Sequence, residues 1–488
     1  MSTNDHTLVL PEHVIRPTFT TAVIVVITLL GSMLYTILVL GAQAHIAVIF
    51  TFSVTCIILR FVHKFKWLDL MEYIRYSGTI CMSPILIIMS IGVLIAAWIA
   101  SGSVPMIMYY GLVIVSPQAF LVTAFLVCCI VSITLGTSWG TGGTMGVALM
   151  GVAGALGIPP AMAAGAVISG AYFGDKMSPI SDSTILASEI GGVNLFAHIK
   201  SMLATTVPSG IIAIIAYTIL GMRFSTDAET AESVRIIMGG IQDSFNINIV
   251  LLIPPLIIVV MAFNRMPSLA TILASTLAAT IIAIAMQGET LTSMSHILYG
   301  GYRLESGVAE LDRLLTRGGL MSKMFTVSLA LIAISFGGVL EKSGLLDAVM
   351  EKTKSFITST PKLILAHIIF MIFLTFSTAS QYMTIILGSR TFVNEYKKRG
   401  VSPLNCARTV EDGGTMLSSQ VPWNSCGMFF TATLGVPGWV YVPYSFLNWL
   451  SPVWALIWGF TGKFIWTREE KLYTETGPTD DFPLEKQA

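Results

Sequence analysis

The sequence contains few charged residues. Asp, Glu, Lys and Arg make up 11% of its 488 residues, against about 25% in an ordinary soluble domain. With 27 basic and 27 acidic residues the formal net charge is zero, so the charge balance does not indicate nucleic-acid binding or an acidic partner. Hydrophobic types account for 54% of the chain. This composition excludes an ordinary soluble domain and indicates a membrane protein.

Patterns typical of disulfide frameworks, metal sites and metalloproteases are also missing. The six cysteines lie in or beside apolar segments and have no CxxC spacing, so we expect them to be packing residues. No HExxH pattern occurs, and the seven histidines do not cluster. We therefore expect neither an enzyme nor a bound cofactor.

Long apolar runs take the place of charge. A helix needs about 20 apolar residues to cross the hydrocarbon layer of a membrane. Eight windows are candidates for such spans, so the sequence predicts an all-helical polytopic membrane protein. The windows are 18–42, 45–62, 79–100, 203–222, 247–263, 269–286, 324–340 and 363–376.

Two segments of the chain are similar to each other at a fixed offset. The segment GIPPAMAAGAVISGAYFGDKMSPISDS begins at Gly157, and GVSPLNCARTVEDGGTMLSSQVPWNSC begins 243 residues later, at Gly400. Aligned without a gap, the two segments pair Pro179 with Pro422. Because this offset is close to half of the chain, the sequence predicts two repeats.

We place the first transmembrane repeat at residues 1–243 and the second at 244–466, followed by a mobile polar tail at 467–488. Repeats in secondary transporters often have opposite orientations in the membrane, with the binding site at the repeat interface. The segment 395–400 is basic, whereas its partner at 152–157 is uncharged, which favours opposite faces of the membrane for the two. The sequence therefore predicts two inverted repeats.

A polar stretch interrupts the apolar, Ala- and Gly-rich segment of the first repeat. It has the sequence GDKMSPISDST and contains Asp175, Lys176, Pro179 and Asp182. Pro179 lacks a backbone donor and breaks a helix at membrane depth, and only protein or a polar cavity can satisfy the backbone groups that a break exposes. Charged side chains at that depth cost about 2.5 to 3.5 kcal/mol on insertion scales, so those that are retained usually serve transport.

We predict that Asp175 and Asp182 couple the movement of a cation to that of a proton. A carboxylate that holds either a sodium ion or a proton, but not both, links the two fluxes, and hydroxyl oxygens complete the shell that a small hard cation needs. Asp182 and Ser181 are the predicted sodium ligands, and Lys176 is expected either to neutralise a neighbouring charge or to extend its ammonium to the membrane interface. The alternative is that Asp175 lies at a helix end and that Asp182 is an N-cap. The other predicted binding residues of this stretch are Ser178, Ser183 and Thr184.

Two further hydroxyl-rich clusters pair with each other across the repeats. The first, at 132–146, has glycines between its hydroxyls and predicts a re-entrant hairpin or a helix break, whereas the second, at 374–388, lies in an apolar window. The alternative is that these hydroxyls bond only to carbonyls of the preceding helical turn. The residues predicted to contact the cation or substrate are Thr137, Ser138, Thr141, Ser377, Thr378, Ser380 and Gln381.

The second repeat carries three charged residues before its own break at Pro422. Arg408 lies three and four positions before Glu411 and Asp412, so the three share one helical face. A structural ion pair is the first interpretation. The alternatives are that Glu411 or Asp412 belongs to the proton path, or that Arg408 binds an anionic substrate. Beyond the break, the predicted binding residues are Asn424 and Ser425.

The run GAVISGAYFGDKMSPISDST, with TLGTSWGT before it, resembles the NhaC family of sodium/proton antiporters. The resemblance extends over nearly the whole chain and implies an ion-transporter fold with two inverted repeats, re-entrant hairpins and broken helices around a central site. It also implies sodium/proton exchange, for which Asp175, Ser178, Ser181 and Asp182 match the motif. The family includes a malate/lactate antiporter branch, so a small organic anion or an amino acid is an alternative substrate.

These observations together predict a secondary transporter in the cytoplasmic membrane of a prokaryote that exchanges Na⁺ for H⁺ by alternating access. The alternatives are Na⁺- or H⁺-coupled transport of a small organic anion or amino acid, and an ion channel built from the same oxygens. The expected partners are the lipid bilayer and the transported ions, with no nucleic acid. A homodimer is expected by analogy.

Overall fold

The structure is a computed structural model, and its secondary structure is helical throughout the part of the chain that it describes. An isolated bridge between the backbones of Val401 and Thr467 is the only β-type pairing in that part. The all-helical prediction is confirmed. The predicted tail at 467–488 lies outside the described residues, except for Thr467. The residues described are 11, 13–40, 42–179, 181–224, 228–264 and 266–467.

The helices vary from single turns to one of 34 residues. The first eleven are α1 (Phe19–Leu34), α2 (Ala44–Phe61), α3 (Trp67–Ala100), α4 (Ser103–Ile114), α5 (Phe120–Leu135), α6 (Ser138–Thr141), α7 (Val147–Ala155), α8 (Pro160–Met177), α9 (Asp182–Gly191), α10 (Leu195–Gly221) and α11 (Ala228–Ser244). α1, which occupies the window at 18–42, continues as a π-helical turn at Tyr35–Val39.

The chain continues with thirteen more helices. They are α12 (Ile253–Phe263), α13 (Ser268–Met286), α14 (Leu291–Gly300), α15 (Ala309–Leu315), α16 (Met324–Lys342), α17 (Leu345–Ser355), α18 (Thr360–Thr378), α19 (Gln381–Lys398), α20 (Pro403–Val410), α21 (Met416–Ser418), α22 (Ser425–Leu434), α23 (Gly438–Tyr441) and α24 (Phe446–Thr461). A π-helical turn, Gly142–Gly146, joins α6 to α7, and another, Glu411–Thr415, joins α20 to α21.

Seven helices in the described part of the chain are long and apolar enough to cross a membrane. Six of them coincide with windows predicted from the sequence. The seventh, Pro117–Leu135, was missed because its apolar run continues into the polar cluster at 132–146. The window at 247–263 belongs to a pair of helices, Val234–Ser244 and Ile249–Met261, that is bent by 101°. The prediction of a polytopic membrane protein is confirmed.

Helix ends recur at the offset of 243 residues that the sequence similarity has. Gly136, with φ of 67°, follows α5, and Ala379, with φ of 53°, follows α18. In the same way α9 begins at Asp182 and α22 at Ser425. Two repeats would produce such matched helix ends. The boundary at residue 243 and the inverted orientation of the repeats stay predictions.

Close packing between α5 and α8 holds the polar end of α8 in place. A Cβ atom at Gly174 would lie 2.2 Å from the backbone nitrogen of Ile133, so α5 approaches α8 as closely as a glycine allows. Ser132 Oγ also donates to the carbonyl oxygen of Ala171 at 2.5 Å. Small residues permit this approach in lipid, where dispersion and interhelical hydrogen bonds replace the hydrophobic effect. The packing fixes the last turn of α8, which carries Asp175.

Candidate ion-binding site

The polar stretch of the first repeat forms a break between two helices. α8 ends and α9 begins on either side of Pro179, so the predicted break is confirmed. Thr184 Oγ1, in the first turn of α9, donates to the carbonyl oxygens of Asp175 at 2.9 Å and Lys176 at 3.3 Å. These bonds satisfy carbonyls at the C-terminal end of α8 and tie the two helices together.

Asp175 is buried and accepts hydrogen bonds from two hydroxyl groups. Its Oδ2 accepts from Ser138 Oγ at 2.8 Å and its Oδ1 from Ser181 Oγ at 2.6 Å. Ser181 Oγ also lies 3.1 Å from Ser183 Oγ. The carboxylate thus joins the two polar clusters of the first repeat, which are separate in the sequence. Carboxylate and hydroxyl oxygens held in this way are the ligand types that a hard cation prefers.

Asp182 is the first residue of α9, and its side chain is exposed to a cavity. The N-cap position belongs to Ser181, whose hydroxyl donates to Asp175 and makes no capping hydrogen bond. The alternative in which Asp182 is the N-cap is therefore wrong. A carboxylate in the first turn of a helix is still stabilised by the helix dipole, and its exposure leaves its oxygens accessible to a ligand.

A cavity of about 230 Å³ lies where the two halves of the chain meet. An adjoining cavity of about 270 Å³ has a mainly apolar lining and shares Thr137, Trp139 and Asp182 with the first. Asp182 therefore stands at the junction of the two. The polar lining of the 230 Å³ cavity consists of Ser83, Thr137, Ser138, Asp175, Asp182 and Ser183 from the first half and Ser380, Gln381, Tyr382, Ser425 and Cys426 from the second.

The charges around the 230 Å³ cavity are of one sign. Among the residues that the structure describes, its lining contains two carboxylates, those of Asp175 and Asp182, and no Lys, Arg or His. A negatively lined cavity with low-dielectric walls raises the local concentration of cations. In the described ranges no group of three or more His, Cys, Asp and Glu residues is placed to hold a metal ion. A cation in this cavity would therefore be held by two carboxylates and by hydroxyl and amide oxygens.

The second half contributes a hydrogen-bonded trio to the cavity wall. Cys426 Sγ donates to Gln381 Oε1 at 2.7 Å and accepts from Trp139 Nε1 at 3.4 Å. Gln381 was predicted from the sequence, whereas Trp139 and Cys426 were not. Trp139 directly follows the predicted residue Ser138, and Cys426 directly follows Ser425. Extending each predicted polar cluster by one residue would have included both.

Seven of the predicted binding residues with hydroxyl or amide side chains lie outside the linings of both cavities. Among them, Asn424 Nδ2 donates to the carbonyl oxygen of Thr375 at 3.0 Å, and Thr141 Oγ1 donates to that of Thr137 at 3.0 Å. These contacts match the alternative in which the side chains serve the backbone of the helix breaks. A role in ion binding stays a prediction for all seven. They are Thr141, Ser178, Ser181, Thr184, Ser377, Thr378 and Asn424.

Arg408 does not pair with Glu411 or Asp412. Its Nη1 donates to the carbonyl oxygen of Phe464 at 2.8 Å, and its guanidinium lies 4.7 Å from the centroid of the Trp466 ring. The predicted ion pair is wrong because a π-helical turn begins at Glu411 and takes the carboxylates off the face that carries Arg408. Arg408 also lies outside the cavity linings, so its position gives no support for binding an anionic substrate there.

The buried ion pair of this region joins the two halves of the chain. Lys176 Nζ on α8 donates to Asp412 Oδ1, and both side chains are completely buried. Thr205 Oγ1 on α10 accepts from Lys176 at 3.0 Å and donates to Asp412 at 2.9 Å. The prediction that Lys176 neutralises a neighbouring charge is confirmed. Because a buried ammonium is costly without a counter-charge, the pair holds α8 against the π-helical turn.

The segment GTSWG, residues 136–140, has the G-x-S-x-G spacing of a hydrolase nucleophile. That motif works on a turn between a strand and a helix, with a histidine as base. Here the segment follows α5, and Ser138 donates to the Asp175 carboxylate instead of a histidine. The serine is thus part of the polar wall of the cavity and not a nucleophile.

The fold and the site together define a class of protein. The structure has apolar spans, matched helix breaks after α5 and α18 and before α9 and α22, and a polar cavity between the two halves of the chain. These are the features of a secondary transporter and not of an enzyme. The model of the Na⁺/H⁺ antiporter family matches residues 6–186 and 170–463. The chain belongs to this family.

Relatives in the family carry different substrate names. The chain is 37% identical over 439 residues to the Na⁺/H⁺ antiporter NhaC of Alkalihalophilus pseudofirmus, covering 89% of this chain and 94% of that protein. It is 34% identical to the malate-2H⁺/Na⁺-lactate antiporter of Bacillus subtilis, with 82% and 86% covered. It is 33% identical to the arginine/ornithine antiporter ArcD of Halobacterium salinarum, with 92% and 93% covered. The names of these three relatives thus differ in cargo, which is Na⁺ and H⁺ in the first, organic anions with the same ions in the second and amino acids in the third.

Proposed function

We propose that the protein exchanges Na⁺ for H⁺ across the cytoplasmic membrane of a prokaryotic cell by alternating access. The observation that carries the proposal is the 230 Å³ cavity, which has two carboxylates and no cationic side chain in its lining. The identity of 37% with an antiporter named for Na⁺ and H⁺ supports the same cargo. The multi-pass helical fold supports the location in a membrane.

Asp175 and Asp182 have different tasks in this proposal. Asp175 is buried and oriented by the hydroxyls of Ser138 and Ser181, so it supplies a fixed oxygen pair at the end of the cavity. Asp182 is exposed at the junction of the two cavities and meets an ion on its way in. A sodium ion held by both carboxylates and the adjacent hydroxyls exchanges its water for oxygens of the same hardness.

Alternating access requires that the cavity opens to one side of the membrane at a time. Its walls come from both halves of the chain, so a movement of one half against the other changes the access to Asp175 without moving its hydroxyl partners. The breaks after α5 and α18 supply backbone joints at matching positions, with left-handed residues at Gly136 and Ala379. A non-glycine residue in that conformation is strained and is kept where the structure needs it.

The size and charge of the cavity favour a cationic amino acid among the alternative cargoes. A volume of about 230 Å³ is far more than the roughly 10 to 15 Å³ that a single water molecule needs. The site therefore has room for a small organic molecule beside a sodium ion. A malate or lactate carboxylate would face two aspartates and no cation, so it needs bound Na⁺ as its partner, whereas a cationic amino acid matches the charge of the cavity directly.

Proteoliposomes with a trapped pH dye test the proposal. Sodium, lithium or potassium salts are added first, and malate, lactate and a panel of amino acids follow at constant sodium. A pH change driven by sodium alone supports Na⁺/H⁺ exchange. A change that needs an organic anion or amino acid contradicts it and assigns the cavity to that cargo, and single-channel currents in planar bilayers would point to a channel.

Asp182 is the residue to change first. Asp182→Asn removes one of the two charges that face the cation, so we expect loss of sodium-dependent proton movement in a protein that still inserts and elutes as a single species. Asp243→Asn is the matched control, because Asp243 is an exposed carboxylate on α11 outside both cavities. Wild-type exchange by the Asp182 variant would remove that residue from the mechanism.

A further inference from the structure

A second group of ionisable side chains lies behind the cavity and lines neither cavity. It is centred on Glu411 and Asp412 in the π-helical turn and on Lys176 at the end of α8. All three side chains are completely buried. Lys176 and Asp412 neutralise each other, and Thr205 bonds to both, so their charges are accounted for. Among the described residues, Glu411 has no ion-pair partner.

Glu411 forms no ion pair in the part of the chain that the structure describes. Both of its carboxylate oxygens are buried, and the one side-chain donor that acts on them among the described residues is the hydroxyl of Thr415, which does not reach good hydrogen-bond geometry with either oxygen. An ionised carboxylate in that position would be desolvated without compensation, which costs so much that such groups take up a proton instead. The arrangement therefore accommodates Glu411 in its neutral, protonated form.

Unpartnered polar atoms around Glu411 indicate internal water. Neither ring nitrogen of His198 on α10 has a partner, although one of them always carries a hydrogen, and Asp412 Oδ2 is also without one. His198 lies on α10, the helix whose Thr205 bonds to Lys176 and Asp412. Buried polar groups of this kind are normally satisfied by ordered water. Ordered water between α8, α10 and the π-helical turn would satisfy these atoms and would give protons a route to Glu411.

We propose that Glu411 carries the transported proton, at a site separate from the sodium cavity, and that Na⁺ and H⁺ exclude each other electrostatically across α8. The proposal rests on the Na⁺/H⁺ exchange proposed above and assigns its two cargoes to different carboxylates. Asp412 is not the carrier, because it remains the counter-charge of Lys176. Asp175 and Asp182 keep the sodium ion.

The end of α8 links the two sites. Asp175 faces the cavity and its chain neighbour Lys176 faces the π-helical turn, while Thr184 bonds to the carbonyls of both. A sodium ion at Asp175 adds a positive charge near Glu411 and disfavours the proton there, since like charges repel strongly in a low-dielectric interior. A proton on Glu411 disfavours sodium in return. The charged groups that act on Glu411 are Asp175, Lys176 and Asp412.

The test compares Glu411→Gln with the wild type in proteoliposomes. Glutamine keeps the size of the side chain and cannot release a proton. We expect exchange of radioactive sodium against unlabelled sodium to persist at saturating sodium, because that reaction moves no proton. We expect a pH gradient to drive no sodium uptake above the level of empty liposomes, and the KM for sodium to become independent of pH. Glu411→Asp, which keeps a titratable group, restores part of the gradient-driven uptake.

The experiment includes a matched control variant and has defined outcomes that would overturn the role of Glu411. Glu341→Gln changes a partly buried carboxylate at the end of α16, which bonds to Tyr76 at 3.4 Å, and is expected to behave as the wild type. Gradient-driven uptake by the Glu411 variant, or a KM that keeps the wild-type pH dependence, overturns the proposal and returns the proton to the cavity aspartates. Loss of both reactions in a folded variant also overturns it. Absence of sodium exchange in the wild type contradicts the proposed function itself.

Discussion

The buried pair between Lys176 and Asp412 provides the sharpest test of the structure. Asp412→Asn keeps the shape of the side chain and removes its charge. The Lys176 ammonium is then left in a completely buried place, where its hydrogen-bond partners among the described residues are the Thr205 hydroxyl and an amide oxygen. Breaking a buried pair in this way costs about 3 to 5 kcal/mol, because the remaining charge is desolvated without compensation.

That free energy converts into a measurable shift of the melting temperature. An unfolding entropy of about 2.1 cal/mol/K per residue gives about 1 kcal/mol/K for a chain of this length. The expected decrease in Tm for Asp412→Asn is therefore about 3 to 5 °C. The double variant Lys176→Met with Asp412→Leu replaces the pair by apolar side chains of similar length, which is often neutral, so its Tm is expected to return close to that of the wild type.

Intrinsic-fluorescence melting of the purified protein in detergent measures all three variants under one condition. Lys398→Met serves as the control, because Lys398 forms an exposed pair with Glu395 on the end of α19, and such pairs contribute little. An unchanged Tm in Asp412→Asn would refute the buried pair. A double variant that melts as low as the single one would show that the loss does not come from the uncompensated ammonium.

Two further predictions concern packing and a loop. Gly174→Ala places a Cβ atom 2.4 Å from Ser132 Cβ and against the α5 backbone, so we expect little folded protein by size-exclusion chromatography. The control is Gly239→Ala, whose Cβ atom would have no neighbour within 4 Å among the described residues and which is expected to fold as the wild type. The Ser306 hydroxyl and amide donate to Asp312 and lower the pKa of that carboxyl below its ordinary value. Its contribution to stability is present above the ordinary pKa and is lost as the pH falls through the lowered one, so Asp312→Asn is expected to reduce Tm at neutral pH and to have no effect on Tm in strong acid.

Much of the helical architecture could be predicted from local features. The break at Pro179 follows from the missing backbone donor of proline, and the close contact of α8 with α5 follows from its small residues. The shared offset of Gly136 and Ala379 matches the pairing of the hydroxyl-rich clusters at 132–146 and 374–388, in which the two residues lie. The span at Pro117–Leu135 was missed because no local feature marks where an apolar run gives way to a polar break.

The pairing of charges could not be predicted in the same way. Spacing places Arg408 beside Glu411 on an ideal α-helix, but the π-helical turn changes the register after Val410. The true partner of Asp412 is Lys176, which lies 236 positions earlier in the chain. Side chains so far apart in sequence meet only through packing of whole helices.

The sequence alone determined that this is a polytopic helical membrane protein of the NhaC type, because the bilayer imposes an apolar composition and long apolar runs on any such chain, and because the GDKMSPISDST motif can be read directly from the sequence. Only the tertiary structure decided which polar residues act together. It brought Asp175 to Ser138, opened Asp182 to the cavity, paired Lys176 with Asp412 and left Glu411 without an ion-pair partner among the described residues. Hydrogen bonds and charge compensation depend on distances across helices, and those distances exist only in the packed molecule.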